Sequence, residues 1–174
     1  MFRGACAIGL DDEYFVMTGG FDMKHATLYT KYGFVMDLPN LNEARIHHGC
    51  AMFINQHKQK VCISSESILQ VFKQVLIVAG GNGYFSMRST ELMPYLPGSS
   101  RMKWTMTGSL PMIMEGVRMV NLNNDIYMFG GNQNGVFYDH ILHYKDDKWT
   151  NVGKMKTKRG WHAVSVVNYT DVCK

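Results

Sequence analysis

No apolar run in the 174 residues approaches the roughly 18 needed to cross a bilayer as a helix, so no membrane partner is expected. The start, "MFRGACAIGLDDEYFVMTGG", carries a single basic residue and no apolar stretch of signal-peptide length. That favours a cytoplasmic location, without deciding it for a chain that reads as beginning inside a folded unit. Charged residues are sparse, at 18% against 46% hydrophobic, with a net charge of +4. This balance belongs to a globular chain rather than a disordered one. Part of the positive excess sits in "KMKTKR", residues 154–159, with no aromatics interleaved for base stacking. Nucleic acid is therefore not an expected partner either.

Catalytic and metal-binding signatures are missing too. The chain has no Cys-x-x-Cys, His-Glu-x-x-His, Gly-x-Ser-x-Gly, P-loop or dinucleotide fingerprint. Among seven histidines, His47 and His48 are adjacent, and His140 and His143 lie three apart. On a strand both spacings send the side chains to opposite faces. The reading is no catalytic residue, no metal and no cofactor. Four cysteines, Cys6, Cys50, Cys62 and Cys173, have wide and irregular spacings, which read as buried free thiols rather than a disulfide framework.

What the chain does have is a recurrence. "FVMTGGF" at 15–21, "LIVAGGN" at 76–82 and "IYMFGGN" at 126–132 each run an apolar strand into a glycine pair. Two glycines weaken the interior of any strand or helix, by about 0.5–1 kcal/mol each relative to Ala, so three such pairs point to one backbone geometry used three times. Gly19, Gly80 and Gly130 open the pairs at intervals of 61 and 50 residues, and a repeat of roughly 50 falls in the propeller range. In the third unit "GVRMVNL", "DIYMFGG", "HILHY" and "KWTNVG" read as four successive strands, with "NN" as the first hairpin turn. The second gives "VLIVAGG", "STELMPY" and "KWTMTG"; the first gives "EYFVMTGG", "ATLYTKY" and "GFVMDLP", without the tryptophan.

These features resemble the kelch-repeat family: an Arg-x-x-His start, an apolar strand ending in Gly-Gly, a Tyr-containing strand, then Trp. The pairs Gly19-Gly20, Gly80-Gly81 and Gly130-Gly131 match in all three units, and Trp104 and Trp149 in two. Arg45-Ile-His-His48 and Arg159-Gly-Trp-His162 match the start, Arg3-Gly-Ala-Cys6 keeps only the arginine, and Met112-Ile-Met-Glu115 keeps neither residue. The resemblance implies an all-β fold, an incomplete kelch-type β-propeller. Its four-stranded antiparallel blades would cover about 3–44, 45–111 and 112–158, and a fourth would begin with a strand in 159–174. Closed propellers need about four to eight blades, so the chain reads as a fragment of a larger ring. The glycines and tryptophans are expected to be structural, the latter filling space between blades.

One segment breaks the pattern. His48 to Gly80 spans 32 residues, against 15 from Glu115 to Gly130 and 13 from Cys6 to Gly19. The excess contains "KVCISSESILQVFK", residues 60–73, which reads as a short rim helix, an interaction loop, or sequence foreign to the fold such as a retained intron.

By resemblance, the function is non-catalytic protein–protein interaction, as a kelch scaffold or substrate-receptor-like domain with a protein partner. Arg3, Arg45 and Arg159 match the arginine that lines the partner face in some receptors; the alternative is that they only tie blade to blade or sit in solvent. The competing function is a fragment of a carbohydrate-active enzyme, galactose-oxidase-like or sialic-acid-mutarotase-like, whose catalytic constellations are not matched here.

Overall fold

A computed structural model of the chain describes residues 3–21, 23–55, 73–83, 87–96 and 98–166. The fold is all-β, with no helix among the described residues. Sheet 1 contains β1 (Cys6–Gly9), β2 (Tyr14–Thr18), β3 (Ala26–Thr30) and β4 (Gly33–Leu38). Sheet 2 contains β5 (Gly49–Asn55), β6 (Lys73–Ala79), β7 (Thr90–Tyr95) and β8 (Thr105–Thr107). Sheet 3 contains β9 (Arg118–Leu122), β10 (Asp125–Phe129), β13 (His140–Lys145) and β14 (Lys148–Lys154). Between β10 and β13 a small ribbon pairs β11 (Asn132–Gln133) with β12 (Val136–Phe137), which the strand pattern did not announce. Each four-stranded sheet is an antiparallel meander in sequence order.

Turn chemistry explains the tight corners. Asn123 and Asn124, at φ +52° and +70°, join β9 to β10, and Asp146 and Asp147, at +48° and +58°, join β13 to β14. Consecutive left-handed residues suit the right-handed twist of the flanking strands, and Asn and Asp tolerate that region best after glycine.

The core lies between sheets. One cluster joins Ile8, Val16 and Leu28 of sheet 1 to Cys50, Leu76, Val78 and Met93 of sheet 2, closed by Trp104. A second joins Ala51, Ile77 and Ala79 of sheet 2 to Met119, Ile126, Met128 and Leu142 of sheet 3, closed by Trp149. Alternate residues of β6 thus serve opposite cores. Val75 to Ala79 are all buried because sheet 2 is covered on both faces, which is why that strand reads as an unbroken apolar run. The tryptophans take the expected place between sheets. Trp104 Nε1 donates to the Pro39 carbonyl at 2.9 Å, and Trp149 Nε1 to Thr90 Oγ1 at 2.9 Å.

One expectation is corrected. Cys6 and Cys50 are not free thiols: they form a disulfide between β1 and β5, with Cα atoms 6.0 Å apart. Two inner strands of different sheets bring together what 44 residues of sequence separate. Cys62 and Cys173 lie outside the described residues. Residues 159–166 form no ladder with a described segment, and the rest of the expected opening strand of a fourth unit, 167–174, lies outside the described residues. The segment 60–73 lies outside the described residues except Lys73, which opens β6 opposite Asn55.

Candidate functional site

The glycine pairs make the same joint three times. The first glycines have φ of +64°, +65° and +60° at Gly19, Gly80 and Gly130; the second, +115°, +94° and +112° at Gly20, Gly81 and Gly131. A Cβ on Gly19 would lie 2.4 Å from the Arg45 carbonyl oxygen, on Gly80 2.5 Å from that of Met114, and on Gly130 2.2 Å from that of Arg159. The second glycine donates its N–H to that same carbonyl: Gly20 to Arg45 at 2.9 Å, Gly81 to Met114 at 2.7 Å, Gly131 to Arg159 at 2.8 Å. Each pair therefore receives the chain that enters the next unit, at a distance only glycine permits.

This joint fixes the register between units. Arg45, Met114 and Arg159 are equivalent. Two residues on, His47, Gly116 and Trp161 are equivalent to one another and to Gly4, all with positive φ. Their amides form a relay: Trp161 N–H to Gly116 O, Gly116 N–H to His47 O, and His47 N–H to Gly4 O, at 2.7, 2.8 and 2.8 Å. The third unit's counterpart of Arg45 is thus Met114, not Met112. Arg3 stands level with Ile46 and is not a counterpart of Arg45. Side-chain matching missed both shifts because the repeat is carried by backbone groups.

Arg45 is interior. Its side chain is 0% exposed and pairs with Glu91, also 0% exposed, at 2.8 Å, and with Glu43 at 3.1 Å. Nη1 donates to the Gly80 and Ser89 carbonyls, and Nη2 to Ser89 Oγ. Ser89 Oγ in turn donates to Glu43. Glu91 Oε2 accepts from the Asn42 backbone and side-chain amides at 2.7 and 2.8 Å. Arg45 therefore fastens the entry of the second unit to the β6–β7 end of that same unit, away from any exposed face. The buried carboxylate that makes this possible was not singled out from sequence; an acid two residues after Ser89, on a strand, was the available signal. Beside it, His48 is buried with Thr18 Oγ1 2.8 Å from Nε2. Burial first, then the Arg45, His47 and Arg118 charges, lower its pKa to about 3.

Arg3 and Arg159 are exposed. Near Arg159, where the inner strands begin, the Trp161 ring meets His47 edge-on at 6.1 Å and Phe137 edge-on at 5.8 Å. Trp161 is 45% exposed, Phe137 40% and Val136 58%. Glu115 borders the patch, 4.0 Å from His47 Nδ1. The β11–β12 ribbon lifts Val136 and Phe137 to this surface. Sequence matching took in Trp161 only as a spacer inside Arg159-Gly-Trp-His162. No group of three or more His, Cys, Asp or Glu among the described residues could hold a metal ion. The chain matches no protein-family model and no curated protein.

Proposed function

We propose that the chain is part of a kelch-type β-propeller and works as a non-catalytic scaffold that binds a protein partner. The observation that carries the propeller reading is the glycine–carbonyl joint, formed three times in one register, twice between successive four-stranded meanders and once between the third and the segment at Arg159. Repeated sheets that cover one another face to face suit a rigid platform, and connections at the ends of such sheets are where contacts concentrate. The partner surface we assign is the end bearing Arg3, His47, Phe137, Arg159 and Trp161. Exposed aromatic and arginine side chains on a polar surround have the composition of interface hot spots. Arg45 is no part of it.

The test is selection from a displayed peptide library on the immobilised full chain, repeated with Trp161→Ala and Arg159→Ala. Recovered peptides whose binding falls at least tenfold with both variants, at unchanged melting temperature, support the reading. Peptides indifferent to both substitutions, or turnover of galactose with copper or of sialic-acid anomers, overturn it.

A further inference from the structure

We infer that the Cys6–Cys50 bond makes the seating of sheet 1 on sheet 2 redox-dependent, with reduction loosening that junction and sparing the next. The two sulfurs belong to β1 and β5, strands in different sheets with no ladder between them. Their bond closes a loop of 44 residues in sequence that holds sheet 1 and the entry to sheet 2. In the register set by Gly4, His47 and Gly116, Cys6 is level with Gly49 and Cys50 with Met119. At the junction of sheets 2 and 3 that pair is fastened differently. A Cβ on Gly49 would come 2.8 Å from Met119 Cγ, so the methionine fills by contact the room that the disulfide fills by a bond. One backbone arrangement thus carries one thiol-sensitive fastening and one that thiols do not touch.

The bond is within reach of a small thiol. Cys6 is half-buried, and Cys50 lines a cleft of about 300 Å³ between the inner strands, with Ala7, Met52 and Asn121 among its walls. A dithiol reductant attacks one sulfur as thiolate and forms a mixed disulfide, which its second thiol resolves. Two electrons and two protons end on Cys6 and Cys50 as thiols, and the reductant leaves as a cyclic disulfide. Glutathione disulfide runs the exchange backwards, re-forming the bond and releasing two molecules of glutathione. Opening the loop returns conformational freedom to sheet 1 whenever it detaches, and that freedom favours detachment.

The experiment uses the full chain with Cys62→Ser and Cys173→Ser, so that only this pair remains. After glutathione disulfide the denatured protein should titrate no free thiol, and after dithiothreitol two. Hydrogen exchange of the two forms should then differ regionally: reduction speeds exchange about ten- to hundredfold across sheet 1 and leaves sheet 3 unchanged. Adding Cys6→Ala should reproduce the fast pattern and remove the response to dithiothreitol. Two free thiols after the oxidant, no acceleration in sheet 1, or equal acceleration in sheets 1 and 3 would each overturn the inference.

Discussion

At the junction of sheets 1 and 2, the interior position before β5 is Arg45 and the position facing it on β7 is Glu91. At the junction of sheets 2 and 3, the corresponding residues are Met114 before β9 and Leu142 on β13. All four are fully buried, at 0% exposure. The backbone joint around them is the same: a glycine pair takes the carbonyl of Arg45 in one case and of Met114 in the other. The first junction thus combines a buried ion pair, a neutral histidine and a disulfide, where the second uses methionine, leucine, valine and packing. Repeat geometry is held by backbone groups, and side-chain chemistry is free to differ between the junctions.

The comparison breaks most severely if one member of the ion pair is removed. Arg45→Met puts the third unit's residue into the second, but leaves the Glu91 carboxylate buried against Asn42 and the Glu43 amide alone. Stranding one buried charge costs about 3–5 kcal/mol. Glu91→Leu leaves the buried guanidinium with Glu43 and the Gly80 and Ser89 carbonyls, for a smaller loss. The double replacement recreates the Met–Leu arrangement and should cost about 2 kcal/mol or more less than the two single losses combined. Urea denaturation of the four proteins measures this coupling. Strictly additive losses would show that the pair is not a unit.

The feature common to both junctions should respond alike at both. Gly19→Ala and Gly80→Ala each force a left-handed Cβ to within 2.4 and 2.5 Å of a backbone oxygen, for an expected loss of about 2–4 kcal/mol. Gly98 also has positive φ, +77°, but open space around it, so Gly98→Ala carries the backbone strain alone, about 1–2 kcal/mol. Melting temperatures that fall equally for Gly80→Ala and Gly98→Ala would refute the close-approach account.

What the sequence could disclose follows the same division. The strand order, the joints at Gly19, Gly80 and Gly130, and the buried places of Trp104 and Trp149 were legible, because each has a local apolar run or glycine pair to mark it. The buried partner of Arg45 was not, since Glu91 lies 46 residues away and only sheet register brings them together. The disulfide was hidden for the same reason. Trp161 was set aside as a spacer because its role depends on rings contributed by β12 and by the residue before His48.

A pH titration sharpens the contrast next. His48 is held neutral in the folded chain with a pKa of about 3, and its counterpart Val117 does not ionise. The unfolded chain takes up a proton below its ordinary pKa of about 6.5 that the folded chain refuses. Stability is therefore intact above about pH 6.5 and falls by about 1.4 kcal/mol per unit as pH drops towards 3, or about 2 kcal/mol by pH 5. His162, lowered by burial and by Arg118 and Arg159, adds a dependence of the same sign. His48→Gln, which keeps a hydrogen-bonding group for Thr18, should remove most of the slope between pH 5 and 6.5. An unchanged slope would show that His48 is protonated in the fold.

The smallest effect concerns a contact that, among the described residues, belongs to the second junction. Asn124, in the β9–β10 turn, accepts from the Ile54 N–H at 2.6 Å and donates Nδ2 to the Ile54 carbonyl at 2.8 Å, while Asn121 Nδ2 donates to Met52 O at 2.6 Å. These amides satisfy the free edge of β5, whose backbone would otherwise be left to water. Asn124→Gly keeps the left-handed turn, at φ +70°, and removes only the side-chain bonds. Because they are solvent-exposed, water replaces them in part, and the expected loss is about 1 kcal/mol. The local readout is more telling than the global one: exchange of the Ile54 amide should rise while amides of β1 and β2 keep their rates. If the Ile54 amide stays as protected in Asn124→Gly as in the parent chain, the edge of β5 is covered by something other than the asparagine.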